Sequence, residues 1–272
     1  MKQSTGKNRN LVDKFYTNSV VVDKCFESIE KYLNIDNEDI IIEPSAGNGS
    51  FINSIKSICN NNLFYDLYPE NENIIEQDFL KLDLSFLEKY KNKHFIGNPP
   101  FGKQGSISFK FIKHLSKIAS SFSFILPKGF KKESYKNRIP LDFHLLYEED
   151  LPINSFNINN NTYDVPCVFQ IWEKKSYNRI KPTKPLPINF KYVKKEEQPD
   201  ISFRRIGVKA GKIDKNIEKS IQSHYFIKFD KHIDIDKTIS LLEQIRFIDN
   251  ICGNEYPSIS KPQLTSILNE LI

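Results

Sequence analysis

The sequence predicts an α/β fold with a mostly parallel central sheet and helices on both faces. Over the first 180 residues, short apolar runs alternate with amphipathic stretches, the pattern of strands that helices bury on both sides. Hydrophobic residues make up 39% of the 272 residues and aromatic residues 12%. This composition fills a sizeable core and excludes a disordered or low-complexity polymer.

Individual elements follow from the same pattern. Apolar runs predict strands at 39–43, 63–66, 74–77, 94–97, 122–126 and 165–172. Amphipathic stretches predict helices at 50–58, 85–90 and 106–119. Only about seven residues separate the second and third strands, fewer than the dozen or so that a crossover helix needs. We therefore expect a single helical turn or no helix in that connection.

A proline-rich stretch at 181–190 marks a domain boundary, because Pro182, Pro185 and Pro187 exclude a helix interior and a central strand. We predict a first domain over 1–180 and a small C-terminal α+β appendage over 181–272, with a role in substrate binding as one option.

The predicted elements of this second part are strands at 201–205 and 224–229 and helices at 237–248 and 263–272. The sequence leaves open whether they form a unit of their own or extend the main sheet.

Several features predict a soluble intracellular protein. The cysteines at 25, 59, 167 and 252 form no close pair, which argues against a disulfide framework and a zinc knuckle. The histidines share no common spacing, so we expect no metal site. The first residues are polar, and no apolar run reaches the 18 residues of a membrane span. Cytoplasm and nucleus are not distinguished.

Charge is distributed unevenly along the chain. Residues 101–210 carry 20 Lys/Arg and 10 Asp/Glu, whereas residues 1–100 carry 11 and 15. A basic middle third indicates a polyanionic partner such as nucleic acid, although solvated lysines on a helix face would give the same count.

The first motif is EPSAGNGSF, which runs from Glu43 to Phe51 after the first predicted strand. Gly47 and Gly49 permit a sharp turn and a close approach of a ligand to the backbone, and the helix that follows presents unpaired N–H groups. An ordinary strand-to-helix turn is the alternative. Glu43 lies at the carboxyl end of the strand, where ligands bind in open α/β sheets.

Acids also follow the next two strands. Asp66 ends the second strand, where a carboxylate can accept both hydroxyls of a ribose. Asp78 follows the third strand and could accept from an exocyclic adenine amine, with Phe79 against the ring. Each acid alone would equally serve as a helix cap.

The motif NPPFG follows the fourth strand and carries the chemistry. Two successive prolines lack N–H donors and restrict φ, so the Asn98 amide and the Pro99 carbonyl can form a rigid pair of acceptors beside an aromatic ring. Such a pair suits the binding of a planar amine.

These motifs in this order resemble class I S-adenosylmethionine-dependent methyltransferases, of the group that methylates exocyclic amines, particularly N6 of adenine. The resemblance covers roughly residues 13–172, and it implies a Rossmann-like domain. It also implies a catalytic tetrad of Asn98, Pro99, Pro100 and Phe101. The implied cofactor site comprises Tyr16, Thr17, Glu43, Ser45, Gly47, Gly49, Asp66, Asp78 and Phe79.

Substrate contacts are predicted outside these motifs. A basic segment follows the fifth strand, and we expect it to contact phosphates through Lys128, Lys131, Lys132 and Arg138. Tyr163 is a candidate second stacking face for a flipped base. Arg204 and Arg205 are a weaker candidate for phosphate contact.

The implied activity is methyl transfer from S-adenosylmethionine to adenine N6 in nucleic acid, with DNA slightly favoured over RNA. The alternatives are an RNA adenosine methyltransferase acting on ribosomal RNA or an mRNA cap, a protein glutamine methyltransferase, and a non-catalytic nucleic-acid-binding subunit. The sequence does not reveal an activating protein partner, an oligomeric state or a target sequence.

Overall fold

The chain divides between Lys181 and Pro182 into two units, each with its own main β-sheet. The computed structural model describes residues 15–158, 161–245, 247 and 258–272. Cys252 and part of the predicted helix at 237–248 lie outside these residues.

The first unit contains ten strands in the described part of the chain. They are β1 (Tyr16–Thr17), β2 (Ile40–Glu43), β3 (Asn62–Asp66), β4 (Ile75–Glu76), β5 (Lys93–Gly97), β6 (Ser121–Pro127), β7 (Phe143–Asp150), β8 (Phe156–Ile158), β9 (Asn161–Tyr163) and β10 (Cys167–Lys174). Its α-helices are α1 (Ser19–Tyr32), α2 (Ile52–Ile58), α3 (Ser106–Leu115) and α4 (Glu133–Lys136).

Seven of these strands form the central sheet, in the order β4-β3-β2-β5-β6-β10-β7. The first five are parallel, and β10 is antiparallel to both of its neighbours. The parallel strands therefore follow the 3-2-1-4-5 order of a Rossmann-like sheet. Because the order reverses between β2 and β5, a crevice opens at the carboxyl ends of these two strands.

Both faces of this sheet are buried, which explains why its strands read as continuous apolar runs. Within β2, Ile41 packs in one core cluster with α1 and α2, while Ile40 and Ile42 pack in the other with α3. The predicted α/β architecture is thus confirmed.

The predicted strands of the central sheet lie within two residues of the observed ones. The connection between β3 and β4 contains no helix, as its length indicates. Several features differ from expectation: α1, α4, β7, β8 and β9 were not predicted, and α3 ends at Leu115 rather than at 119. The stretch predicted as a helix at 85–90 forms a 3-10 helix, Ser85–Lys89.

A second, three-stranded sheet joins the start of this unit to a later hairpin. Strand β1 pairs with β8, so that Tyr16 lies opposite Asn157 and Thr17 opposite Phe156. Asn18 then caps α1 by accepting a hydrogen bond from the Val21 N–H at 3.0 Å. These contacts fix the position of β1.

The second unit is an α+β structure with its own sheet. Its strands are β11 (Phe190–Val193), β12 (Ile201–Arg204), β13 (Ile213–Asp214) and β14 (His224–Phe229), and its described helices are α5 (Ile235–Glu243) and α6 (Lys261–Leu271). The sheet has the order β11-β14-β12-β13 and is antiparallel throughout. Of the two options left open by the sequence, the structure has the separate sheet.

The core of this unit lies between one face of the sheet and the helices. Ile201 and Phe203 of β12 pack there with Leu264 and Leu268 of α6.

No helix in the described part of either unit is long and apolar enough to cross a membrane.

Candidate active site

A cleft of about 400 Å³ lies at the carboxyl edge of the central sheet. The predicted site residues on its wall are Tyr16, Thr17, Glu43, Ser45, Gly47, Asp66, Asp78, Phe79, Asn98 and Pro100. They come from five separate segments of the chain. Gly49, Pro99 and Phe101 do not line it.

The glycine turn is bound to the end of β3 through Asp66. The Gly47 N–H donates to Asp66 Oδ2 at 2.8 Å, and the Tyr68 N–H donates to Oδ1 at 2.8 Å. The Gly47 carbonyl in turn accepts from the Glu70 N–H at 3.0 Å. Both oxygens of the Asp66 carboxylate are therefore oriented, and each keeps a further lone pair for a ligand.

Glu43, at the end of β2, is a buried acid without a full set of partners. The residue is 1% exposed, and within the described part of the chain Oε2 has no hydrogen-bond partner. Burial, and to a lesser degree the charge of Asp66, raises the pKa of Glu43 well above its usual value. A buried, unsatisfied oxygen in a cleft wall is the feature expected of a group that a cationic ligand completes.

The Asn98 side chain has a defined orientation. Its Nδ2 lies 3.1 Å from the Phe15 carbonyl and 3.4 Å from Thr17 Oγ1. A carbonyl can only accept, so the amide nitrogen must face it, and Oδ1 points to the opposite side of the group. Strand β1 thus sets the direction of the Asn98 oxygen.

The backbone of the same loop leaves one carbonyl without a protein donor. The Ser45 hydroxyl donates to the Asn98 carbonyl at 3.4 Å, and the Ser108 hydroxyl donates to the Pro100 carbonyl at 3.1 Å. Among the described residues, no group donates to the Pro99 carbonyl. Asn98 Oδ1 and the Pro99 carbonyl therefore remain as acceptors in one loop.

Two side chains of the predicted tetrad, those of Pro99 and Phe101, pack into the protein and do not line the cleft. Pro99 is buried, and Phe101 is partly buried against the core around α1. The rings of Phe101 and Phe15 are stacked, with centroids 6.4 Å apart and an interplanar angle of 17°. Stacking of Phe101 on a base stays a prediction, and one contact of its ring is with Phe15.

Asp78 and Phe79 both line the cleft and both have structural contacts. Asp78 caps a 3-10 helix (Phe79–Lys81) by accepting from the Leu80 N–H at 3.1 Å. The helix-cap alternative raised by the sequence is therefore observed. Phe79 is 2% exposed and its ring stacks on that of Phe111.

Tyr16 contacts the turn from the other side. Its hydroxyl donates to Glu70 Oε1 at 2.6 Å. Burial and this hydrogen bond raise the pKa of Tyr16, so the phenol is neutral near pH 7.

The predicted substrate-binding cations lie outside the cleft wall. Lys128 and Lys131 both form ion pairs with Asp150, at 2.9 Å and 2.8 Å. The Arg138 guanidinium lies over the Phe109 ring, 3.4 Å from its centroid. Lys132 is half-buried. The side chain of Tyr163 lies outside the described part of the chain.

Some lining residues were not predicted. Ile107 and Phe111 enter the cleft from α3, and their four-residue spacing places them on one face of that helix. The amphipathic pattern predicts the helix but not that this face borders a ligand site. Tyr68 comes from a connection without a sequence signal, whereas Gln77 lies in the predicted strand 74–77 and directly follows β4, with no signal that it borders the cleft.

Comparison with known proteins identifies relatives that are methyltransferases. The chain is 29% identical over 143 residues to the ribosomal RNA small subunit methyltransferase A of Francisella tularensis subsp. novicida, which covers 47% of this chain and 53% of the relative. It is 23% identical over 205 residues to the type II methyltransferase M.HincII of Haemophilus influenzae, covering 70% of this chain and 39% of the relative. The chain thus matches about half or less of the length of these relatives.

Among solved structures, the 23S rRNA methyltransferase ErmE is similar with a TM-score of 0.45 and 13% identity, over 62% of this chain and 73% of that one. No protein-family model matches the sequence. The predicted resemblance is confirmed at the level of the sequence relatives: this chain is a homologue of S-adenosylmethionine-dependent methyltransferases and has a Rossmann-like fold.

Proposed function

We propose that this protein transfers a methyl group from S-adenosylmethionine to the N6 amine of adenine in nucleic acid. The observation that carries the proposal is the Asn98 side chain on the cleft wall, whose oxygen is an oriented acceptor in the NPPF loop. Asn98 Oδ1 is oriented by β1, and the Pro99 carbonyl has no donor among the described residues. Asn98 also lines the cleft that contains the glycine turn and Glu43.

The residues of the cleft fit S-adenosylmethionine. Glu43 Oε2 is a buried acceptor without a partner, as the ammonium of the methionine part requires. Asp66 would accept from the ribose hydroxyls, and Asp78 and Phe79 would contact the adenine, while Tyr16, Thr17, Ser45 and Gly47 border the methionine part. When bound, the cofactor supplies an electrophilic methyl carbon on a sulfonium.

The acceptor pair would act on the geometry of the target amine. The amine lone pair of adenine is delocalised into the ring, which makes it a poor nucleophile. Two acceptors that bind both N–H groups favour a more tetrahedral nitrogen, with its lone pair directed away from the ring. Neither acceptor has to remove a proton before attack. The benefit is one of positioning and electrostatic complementarity, and it decreases steeply with misplacement.

The target adenine must leave a duplex or be unpaired, because its amine cannot be reached inside the base stack. Relatives act on both kinds of nucleic acid according to their names, and the match to the type II methyltransferase covers more of this chain than the match to the ribosomal RNA enzyme. For that reason we favour DNA slightly and retain ribosomal RNA or an mRNA cap as the second candidate substrate.

The test is transfer of tritium from methyl-labelled S-adenosylmethionine to duplex DNA, single-stranded DNA and RNA, with separation of the nucleosides. We expect the label in N6-methyladenosine or its deoxy form. Label on protein only, or on another base, would disprove the proposal. Cofactor binding by calorimetry without any transfer would identify a non-catalytic subunit.

A further inference from the structure

The β12–β13 hairpin of the second unit carries a group of cations that form no ion pair with the described residues. Between Asp200 and Asp214 the chain contains four cations, Arg204, Arg205, Lys209 and Lys212, and no acidic residue. None of the four forms an ion pair within the described part of the chain. Lys209 and Lys212 are exposed, and the two arginines are half-buried.

The acid of the neighbouring strand compensates this charge only in part. Asp214, on β13, is in an ion pair with Lys219 at 2.9 Å, and it interacts more weakly with the charge of Lys212. Arg204 lies opposite His224 in the sheet, and burial together with the charges of Arg204 and Lys219 lowers the pKa of His224 despite a hydrogen bond to Ser220. The histidine therefore does not balance the arginine. The patch keeps its positive charge at neutral pH.

The hairpin is held in one conformation by its own backbone. The Gly211 N–H donates to the Arg204 carbonyl at 2.7 Å, and the Arg204 N–H donates to the Lys212 carbonyl at 2.8 Å. At Gly211 a Cβ atom would lie 2.4 Å from the Phe247 ring, so the absence of a side chain lets the loop pack onto the core of this unit. The cations are thus presented on a rigid support.

A fifth cation adjoins the hairpin. The Ile259 N–H donates to the Arg205 carbonyl at 2.8 Å, which attaches the segment before α6 to the hairpin. Lys261 Nζ and the Arg205 guanidinium each lie 5.7 Å from the Tyr225 ring centroid. Lys261 Nζ also lies 4.7 Å from the Tyr192 ring centroid. Both cations therefore contact aromatic rings, and a polyanion would be attracted to both positive charges.

We propose that the β12–β13 hairpin, residues 204–212, binds the sugar–phosphate backbone of the nucleic-acid substrate. The inference rests on the proposed function for the identity of the polymer, but it concerns a separate surface. Its basis is charge complementarity together with rigidity. The lysines predicted from the sequence to contact phosphates after β6 differ from the hairpin cations, because Lys128 and Lys131 already form ion pairs with Asp150. Backbone contacts of this kind give affinity and register without reading sequence.

The test is a salt titration of binding with the full chain. Labelled duplex DNA, single-stranded DNA and an RNA hairpin would be titrated into the wild type, the double variant Lys209→Gln/Lys212→Gln and a matched control. The control, Lys231→Gln/Lys237→Gln, removes the same charge from exposed positions of the same unit. Equal thermal unfolding of the three proteins would establish that they are folded.

We expect the hairpin variant to bind the preferred polymer at least about tenfold more weakly at low salt. Its plot of log affinity against log salt should be shallower by about two, since each phosphate contact contributes about 0.9 for a duplex. The control should bind like the wild type, and Lys209→Arg/Lys212→Arg should restore binding. The polymer with the largest loss identifies the substrate class.

Two outcomes would overturn the inference. These are an equal loss of binding in the hairpin variant and the control, or unchanged binding in both. Failure of the proposed function is distinguishable, since it would appear as no methyl transfer by the wild type to any polymer, whereas this assay measures binding without cofactor.

Discussion

A buried acid lies at each end of strand β2: Asp39 directly precedes the strand, and Glu43 is its last residue. The two carboxylates differ in their hydrogen-bond partners. At the amino end, Asp39 accepts hydrogen bonds from the Asp36 N–H, the Asn92 N–H and the Asn92 side chain, and lies 3.3 Å from His94 Nε2. At the carboxyl end, Glu43 Oε2 has no hydrogen-bond partner among the described residues. A buried unsatisfied oxygen costs stability and is retained where a ligand needs it. We therefore call the amino end the structural edge of the sheet and the carboxyl end, where we propose that the cofactor binds, the binding edge.

The structural edge includes a serine, a histidine and an aspartate in contact, a combination that acts in catalysis where a substrate can reach the serine. His94 Nδ1 is 2.7 Å from Ser121 Oγ and Nε2 faces Asp39. All three residues are at most 5% exposed, so no substrate can reach the serine. Burial lowers the pKa of His94 even beside Asp39. The network holds the first residues of β2, β5 and β6 together.

The largest effect is expected at the binding edge from Asn98→Ala. It should lower the rate of methyl transfer by about a thousandfold or more, the scale of losing a preorganised electrostatic contact. Single-turnover transfer would measure the rate, and calorimetry should show cofactor affinity within a few fold of the wild type. An equal loss of cofactor affinity would mean that Asn98 is a structural residue.

At the structural edge, Asp39→Ala should lower the free energy of unfolding by about 3 kcal/mol, because it leaves buried His94 and Asn92 groups without an acceptor. Urea unfolding would measure it. The matched control is Asp36→Ala, whose exposed carboxylate pairs with Lys91 and, being screened by solvent, should contribute far less than Asp39. Similar losses of unfolding free energy in Asp39→Ala and Asp36→Ala would contradict the structural role of the buried Asp39 network.

Asp66→Ala should weaken S-adenosylmethionine binding on the order of tenfold to a hundredfold, the cost of losing one or two hydrogen bonds to a charged group. The maximal rate at saturating cofactor should change far less. Calorimetry with Asp83→Ala, which changes an exposed acid that accepts a hydrogen bond from the Ser85 N–H, provides the control. Unchanged affinity in Asp66→Ala would remove this residue from the cofactor site.

Glu43→Gln should have a smaller, pH-dependent effect on stability. The folded state retains a proton on Glu43 that the unfolded chain releases above about pH 4.3, so the stability of the wild type decreases as pH rises through that region. Glutamine does not ionise, so the stability of the variant does not decrease with pH for this reason. Its unfolding temperature should therefore exceed that of the wild type at pH 8, and the difference should shrink at pH 4. A difference independent of pH would show that Glu43 ionises normally.

Thr17→Val should have the smallest effect, because it removes only the longer of the two hydrogen bonds to the Asn98 amide. We expect a several-fold decrease in kcat with an unchanged KM for the cofactor, and recovery in Thr17→Ser, which keeps the hydroxyl. If serine fails to restore the rate, Thr17 acts through packing rather than through Asn98.

Most of the central sheet could be predicted because its strands are buried on both faces and read as apolar runs. Strand β7 escaped prediction since only Phe143 is fully buried and its second half, Glu148–Asp150, is acidic. Helix α1 begins with three valines, which favour strands, and its Asn18 cap gives only a weak signal.

The candidate site could be predicted from motifs at strand ends, since these ends meet at one edge of the sheet. Contacts between distant segments could not. Nothing in the sequence indicates that Phe101 stacks on Phe15, that Asp150 pairs with Lys128 and Lys131, or that the Phe15 carbonyl orients Asn98. Each of these depends on tertiary packing of segments that carry no shared pattern.

Gly97 connects the two motifs in a way that constrains how this protein can vary. A Cβ atom at this position would lie 3.1 Å from Glu43 Cγ, and its φ of 145° disfavours other residues. The Glu43 side chain of the EPSAGNGSF motif thus has space only because Gly97, which directly precedes the NPPFG motif, has no side chain. A shorter residue at 43 would remove the contact but not the strained φ of any other residue at 97. Gly97 should therefore be kept in every variant of this protein, and engineering of either motif has to treat Gly97 and Glu43 as one unit.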